Sequence, residues 1–100
     1  MIKHIILWKL KEELSDEEKK AVKARIKAGL EALQGVVPGL SAIVVRTRGL
    51  SSSNADLMLD STFLNEQSLK GYAVHPAHVD VANTHVRPYT QTRLCLDFEE

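Results

Sequence analysis

Along the first ten residues Ile2, His4, Ile6, Trp8 and Leu10 alternate with Lys3, Ile5, Leu7 and Lys9, the two-residue period of a strand. The middle of that strand is apolar on both faces. Ser15 with Glu18 three positions on makes a capping box, and Asp16, Glu17 and Glu18 stand in the first turn, where a helix dipole favours them. Val22, Ile26, Leu30 and Leu33 then recur at helical spacing, predicting one amphipathic helix with Lys19, Lys20, Lys23, Lys27 and Glu31 around the rest. Those lysines read as its solvated face. Gly35 is placed to end the helix, and Pro38 prevents its resumption.

Leu40 to Arg48, with β-branched Ile43-Val44-Val45 at its centre, predicts a second strand, and Ala55 to Phe63 a third whose apolar set is Leu57, Leu59 and Phe63. Asn65 is a cap for a short helix on which Leu69, Tyr72 and Ala73 share a side. Pro76 lacks a backbone N–H and fits a first helical turn, so one helix ends near Val74 and another begins at Pro76. Val79, Ala82 and Val86 make the expected core stripe of that second helix, with His78, Val81 and His85 on an adjacent face, and Pro88 closes it. Thr90 to Phe98 predicts a fourth strand.

The order β-α-β-β-α-α-β predicts a ferredoxin-like α+β fold, a four-stranded antiparallel sheet with helices on one face. A monomer would then need a polar second face. Ile5, Leu7, Met58 and either Leu94 with Leu96 or Cys95 occupy it instead, leaving roughly several hundred Å2 of apolar surface. The expected assembly is a homodimer whose sheets pack face to face into a barrel-like core.

Composition adds exclusions. One hundred residues predict one domain, residues 1–100. Thirteen Lys+Arg balance thirteen Asp+Glu, so no charge footprint for nucleic acid is present, and no apolar run approaches the ~18 residues of a membrane span. A single cysteine, Cys95, cannot form an internal disulfide and reads as a small buried apolar residue; with no secretory signal in the opening residues, the expected location is cytoplasmic.

Candidate chemistry concentrates in Gly71-Tyr72-Ala73-Val74-His75-Pro76-Ala77-His78, which sets a phenol and two imidazoles at a helix break. Tyr72 on the last turn before it and His78 on the first turn after it would meet over the core. There they would share a hydrogen bond and move protons on and off an enolisable carbonyl compound. Alternatively Tyr72 is a boundary core residue and His78 is satisfied by water or a backbone carbonyl. His75 reads as a helix cap or part of the pocket wall, His4 as an interior histidine or the same wall, and Asp97 as the orienter of a histidine or the start of an acidic tail. No residue set has the spacing of a metal site, and no glycine-rich phosphate loop is present, so no cofactor is expected.

The opening Met1-Ile2-Lys3-His4-Ile5-Ile6-Leu7-Trp8-Lys9-Leu10, the Pro38-Gly39 turn and above all the Tyr-x-x-His-Pro-x-His block from Tyr72 to His78 resemble the stress-responsive dimeric A/B barrel (Dabb) family. The resemblance implies a ferredoxin-like subunit whose sheet joins its partner's in a barrel. The family includes a plant polyketide cyclase that closes an aromatic ring without a cofactor, its catalytic tyrosine and histidine falling at Tyr72 and His78. By that resemblance His78 is the general base and Tyr72 holds the carbonyl oxygen of a small apolar or aromatic ligand. The implied pocket wall is His4, Ile6, Trp8, Leu57, Leu59, His75 and Asp97, with Leu57 standing where the cyclase has a histidine. Some plant members hold magnesium through backbone carbonyls at the positions of Leu33 to Val37. Two functions follow as expectations: a small dimeric stress-associated or ligand-binding protein, or a cofactor-independent cyclase or isomerase.

Overall fold

In a computed structural model describing residues 1–100, β1 (Ile2–Leu10), α1 (Asp16–Glu31), β2 (Leu40–Arg46), β3 (Leu57–Phe63), α2 (Glu66–Val74), α3 (Pro76–Val81) and β4 (Thr90–Glu99) follow in that order. The strands form one antiparallel sheet ordered β2-β3-β1-β4, with the helices on one face, the ferredoxin-like arrangement expected from the pattern. Parity along β1 decides which side chains meet the helices. Ile2, His4, Ile6, Trp8 and Leu10 are buried beneath them, joined by Val22, Ile26 and Leu30 of α1 and by Leu59, Phe63 and Tyr72.

Each helix starts as its cap dictates. The Ser15 hydroxyl accepts from the Glu18 N–H at 3.1 Å and the Glu18 carboxylate accepts from the Ser15 N–H at 2.9 Å, while Asn65 accepts from the Ser68 N–H at 2.8 Å. Regular α1 stops at Glu31, short of Gly35, and hydrogen-bonded turns carry the chain on to Val37. Gly35 has φ +86° and Gly39 φ +80°, both left-handed.

Two expectations need correcting. The lysine face of α1 is not all solvated: Lys27 Nζ donates to the Val45 carbonyl at 2.9 Å and the Glu31 carboxylate accepts from the Val45 N–H at 2.9 Å. Together they satisfy both outward backbone groups of Val45 and cover the β2 edge of the sheet. Burial alone would push the Glu31 carboxyl up, but Lys27 and the Val45 N–H outweigh it and hold it below its ordinary value. Second, Val81 rather than Val79 packs on the core after Pro76. The chain widens into a π turn over Ala82–Val86, where the Arg87 N–H reaches back to the Ala82 carbonyl, followed by a 3₁₀ turn at Arg87–Tyr89. α1 approaches closely at Gly29, where an added Cβ would lie 3.0 Å from Val81 Cγ1.

The centre of the sheet's outer face is apolar. Register pairs Ile5 with Leu96 and Leu7 with Leu94, so Leu94 and Leu96, not Cys95, join Ile5, Leu7 and Met58 there. Phe98 shares that parity, and Leu94 and Leu96 are 62% and 63% exposed. Lys3 Nζ sits among them, bonded to Asp60 at 2.5 Å and to the Thr62 hydroxyl at 2.9 Å, and Lys9, Arg46 and Thr92 share the face nearer its rim.

Candidate functional site

The break between α2 and α3 is built by His75 and Pro76. His75 is extended (φ −65°, ψ 131°), and its Nδ1 accepts from the Ala77 N–H at 3.1 Å, so it caps α3 and does not line the pocket. The bend turns Tyr72 and His78 onto each other. Their ring centroids lie 4.1 Å apart at 33°, a tilted stack in place of the expected hydrogen bond. Tyr72 also meets Phe63 edge-on at 5.0 Å and His4 at 6.0 Å, so four rings run from the sheet to α3.

A cavity of about 400 Å3, open to solvent, lies over β1 and β4 beneath α3. Of the expected wall residues it takes His4, Ile6, Trp8 and Leu59, together with Tyr72 and His78. Leu57, on the same strand as Leu59, does not reach it: it pairs with Trp8 and is packed in the core. Asp97 does not line it either. Directly across from His4 in the β1–β4 register, its carboxylate bonds His4 Nδ1 and faces a second cleft of about 580 Å3. Asp97 does orient a histidine, but that histidine is His4. Ser61 fixes the same strand by donating to the His4 carbonyl at 2.8 Å.

Arg87 and Arg93 line the main cavity and were missed in the sequence. Arg87 follows the π turn, and Arg93 pairs with Trp8 on the inner face of β4. A signal existed for Arg93: once Leu94 and Leu96 face outward, Arg93, Cys95 and Asp97 must face inward. Nothing in helical periodicity marks Arg87, because the wide turn resets it.

The electrostatics separate the two stacked rings. Burial pushes the half-buried His78 imidazole below its ordinary 6.5; Arg87, His4 and Arg93 push the same way, and the bond to the Ala73 carbonyl opposes them. His78 Nδ1 lies 3.3 Å from that carbonyl, which can only accept, so Nδ1 carries the proton and Nε2 the lone pair. Burial raises the Tyr72 phenol well above its ordinary value, opposed by Arg93. The phenol therefore stays protonated, and its buried hydroxyl has no hydrogen-bond partner in the protein. The site thus presents a neutral base beside a neutral acid.

His4, Cys95 and Asp97 each bring one ligand-type atom within 4.8 Å of the others, but His4 and Asp97 bond to each other. Cys95 is exposed, not buried as expected, because no helix covers β4; burial and then the Asp97 charge raise its thiol, leaving a poor nucleophile. Of the backbone carbonyls from Leu33 to Val37, where the resemblance implies magnesium, that of Leu33 accepts from the N–H groups of Val36 and Val37 and that of Val37 from the Leu40 N–H.

A ferredoxin-like subunit with a ligand-sized cavity between its sheet and a kinked helix pair, and an unsheltered apolar face on the sheet's other side, defines a class of small α+β proteins. Within that class the chain belongs to the stress-responsive A/B barrel domain family, whose model matches residues 2–100. A dimeric protein of unknown function and ferredoxin-like fold from Bacteroides fragilis is 31% identical, with TM-score 0.93 over 99% of this chain and 95% of that one. A Dabb family protein from Mesorhizobium loti superposes with TM-score 0.76 at 18% identity, over 99% and 95% of the two chains. A hydroxynitrile lyase from Passiflora edulis superposes with TM-score 0.72 at 17% identity, over 97% and 90%. These last two show the fold alone. No curated protein sequence matches the chain. No helix is long and apolar enough to cross a membrane.

Proposed function

We propose that this protein is a cofactor-independent acid–base catalyst acting on a small carbonyl compound. The observation that carries the reading is the stacked Tyr72–His78 pair in an open cavity, one ring holding a free lone pair and the other a proton. His78 Nε2 takes the proton from the carbon next to the carbonyl. Tyr72 O–H donates to the carbonyl oxygen as negative charge gathers there. The resulting enolate, held by the Tyr72 O–H, is reprotonated on carbon by His78, or its carbon attacks a second carbonyl, forming a C–C bond while the π pair of that carbonyl moves to its oxygen and takes the proton from His78. Reaching the phenol requires the tilted stack to open, a rotamer change for a half-buried imidazole.

The test is deuterium exchange at the α-carbon of a panel of aryl ketones, followed by NMR. Exchange that falls about 100-fold or more in both His78→Ala and Tyr72→Phe, with no loss of stability, supports the reading. Exchange at the uncatalysed rate across the panel overturns it. The near-complete burial of Tyr72 favours a second reading, a dimeric ligand-binding protein without turnover. Ligands would then bind without any exchange.

The apolar outer sheet and the dimeric state of the Bacteroides fragilis relative support a homodimer formed face to face through the sheets.

A further inference from the structure

We infer that the ligand of this cavity carries a carboxylate as well as a carbonyl: an oxo acid, its acid group held by Arg87 and Arg93 and its carbonyl presented to His78 and Tyr72. The inference rests on the proposed acid–base site and specifies what enters it.

Arg87 and Arg93 approach the same cavity from different elements, one at the end of the π turn and the other on β4. No acidic residue lines that cavity. Neither arginine forms an ion pair, and the Arg87 guanidinium bonds only the neutral Asn83 side chain, leaving its other N–H donors free. Arg93 stands between this cavity and the neighbouring cleft, which Glu66, Asp97 and Glu99 line; Asp97 is bonded to His4, and none of the three makes an ion pair with Arg93. Two unneutralised cations beside an apolar wall of Ile6, Trp8 and Leu59 suit a molecule with one anionic end and one apolar body. The buried Tyr72 hydroxyl, without a protein partner, supplies the donor for a second oxygen of the same ligand. A carboxylate drawn to the arginines leaves the rest of the molecule to lie along Trp8 toward His78.

The probe pair is 4-oxo-4-phenylbutanoate and its methyl ester, which share the ketone and the ring and differ in charge. Binding to the full chain is measured by calorimetry, with α-carbon deuterium exchange followed in parallel. The acid is expected to bind at least about tenfold tighter than the ester, the scale of one charge-assisted hydrogen bond. That preference disappears in Arg87→Gln with Arg93→Gln and returns in part when both are lysine. Equal affinity for acid and ester, an acid preference that survives the double glutamine variant, or binding of neither overturns the inference. An acid preference with the expected arginine dependence but no exchange sustains it and overturns the catalytic reading instead.

Discussion

Tyr72 is where stability and chemistry pull apart. Its ring fills the junction of α2 with the sheet, but its hydroxyl is buried without a partner, and an unsatisfied buried hydroxyl costs about 1–3 kcal/mol. Tyr72→Phe keeps the ring and removes that cost. The variant is expected to be as stable as the parent or more stable by about 1 kcal/mol in urea unfolding, while ketone exchange falls. A buried tyrosine that served only packing would show no loss of exchange. His78 makes a pH prediction of definite sign. Its folded pKa lies below the unfolded 6.5, so the unfolded chain binds the proton more readily. The stabilisation from a neutral His78 is full above pH 6.5 and is lost as pH falls through the lower folded value. The base form also persists into that range, so the acid limb of exchange should fall below pH 6.5. In His78→Ala, the stability profile below pH 6.5 should flatten; an unchanged slope would place the titrating group elsewhere.

At the scale of elements, the tightest joint is between the β2 entry and α2. Gly39 holds φ +80°, and a Cβ there would stand 2.1 Å from the Ser68 hydroxyl and 2.5 Å from its Cβ. The Gly39 carbonyl also accepts from the Leu64 N–H, tying the end of β3 to the same turn. Gly39→Ala is therefore expected to lower stability by about 2 kcal/mol or more, read as a lower urea midpoint. Ser68→Ala in the same chain should not restore it, because the Cβ contact remains. The strands and the His75-Pro76 break were legible because a two-residue period and a missing N–H act locally. The π turn over Ala82–Val86 was not, since no residue in it demands the wider turn, and neither was the packing of Val81 in place of Val79 in the α3 turn before it. Arg93 was hidden for another reason: Leu94-Cys95-Leu96 is apolar at every position, so inward parity on β4 emerges only from its register with β1. The helix break that juxtaposes the two rings was thus readable, whereas their stacking and the arginine side of the cavity depend on tertiary register.

For the whole molecule, the two edges of the sheet are treated differently. Lys27 and Glu31 cover β2, but β4 has no helix over it and presents Leu94, Leu96 and Phe98 outward beside Leu7. In a face-to-face dimer those side chains leave water at about 25 cal/mol per Å2, and the Lys3–Asp60–Thr62 group becomes a polar island within an apolar interface. An ion pair so placed adds little affinity but disfavours arrangements that would bury one of its charges alone, so in the proposed dimer it would restrict how the sheets align. Leu96→Glu sets a carboxylate next to Ile5 in the register, and burying two such charges across a two-fold interface costs several kcal/mol. The parent is expected to run as a dimer in light scattering and the variant as a folded monomer at the same concentration. Because Leu96 faces away from Cys95, Asp97 and the cavity, ligand binding at His78 should survive in that monomer; loss of binding together with the dimer would mean that the second subunit completes the site.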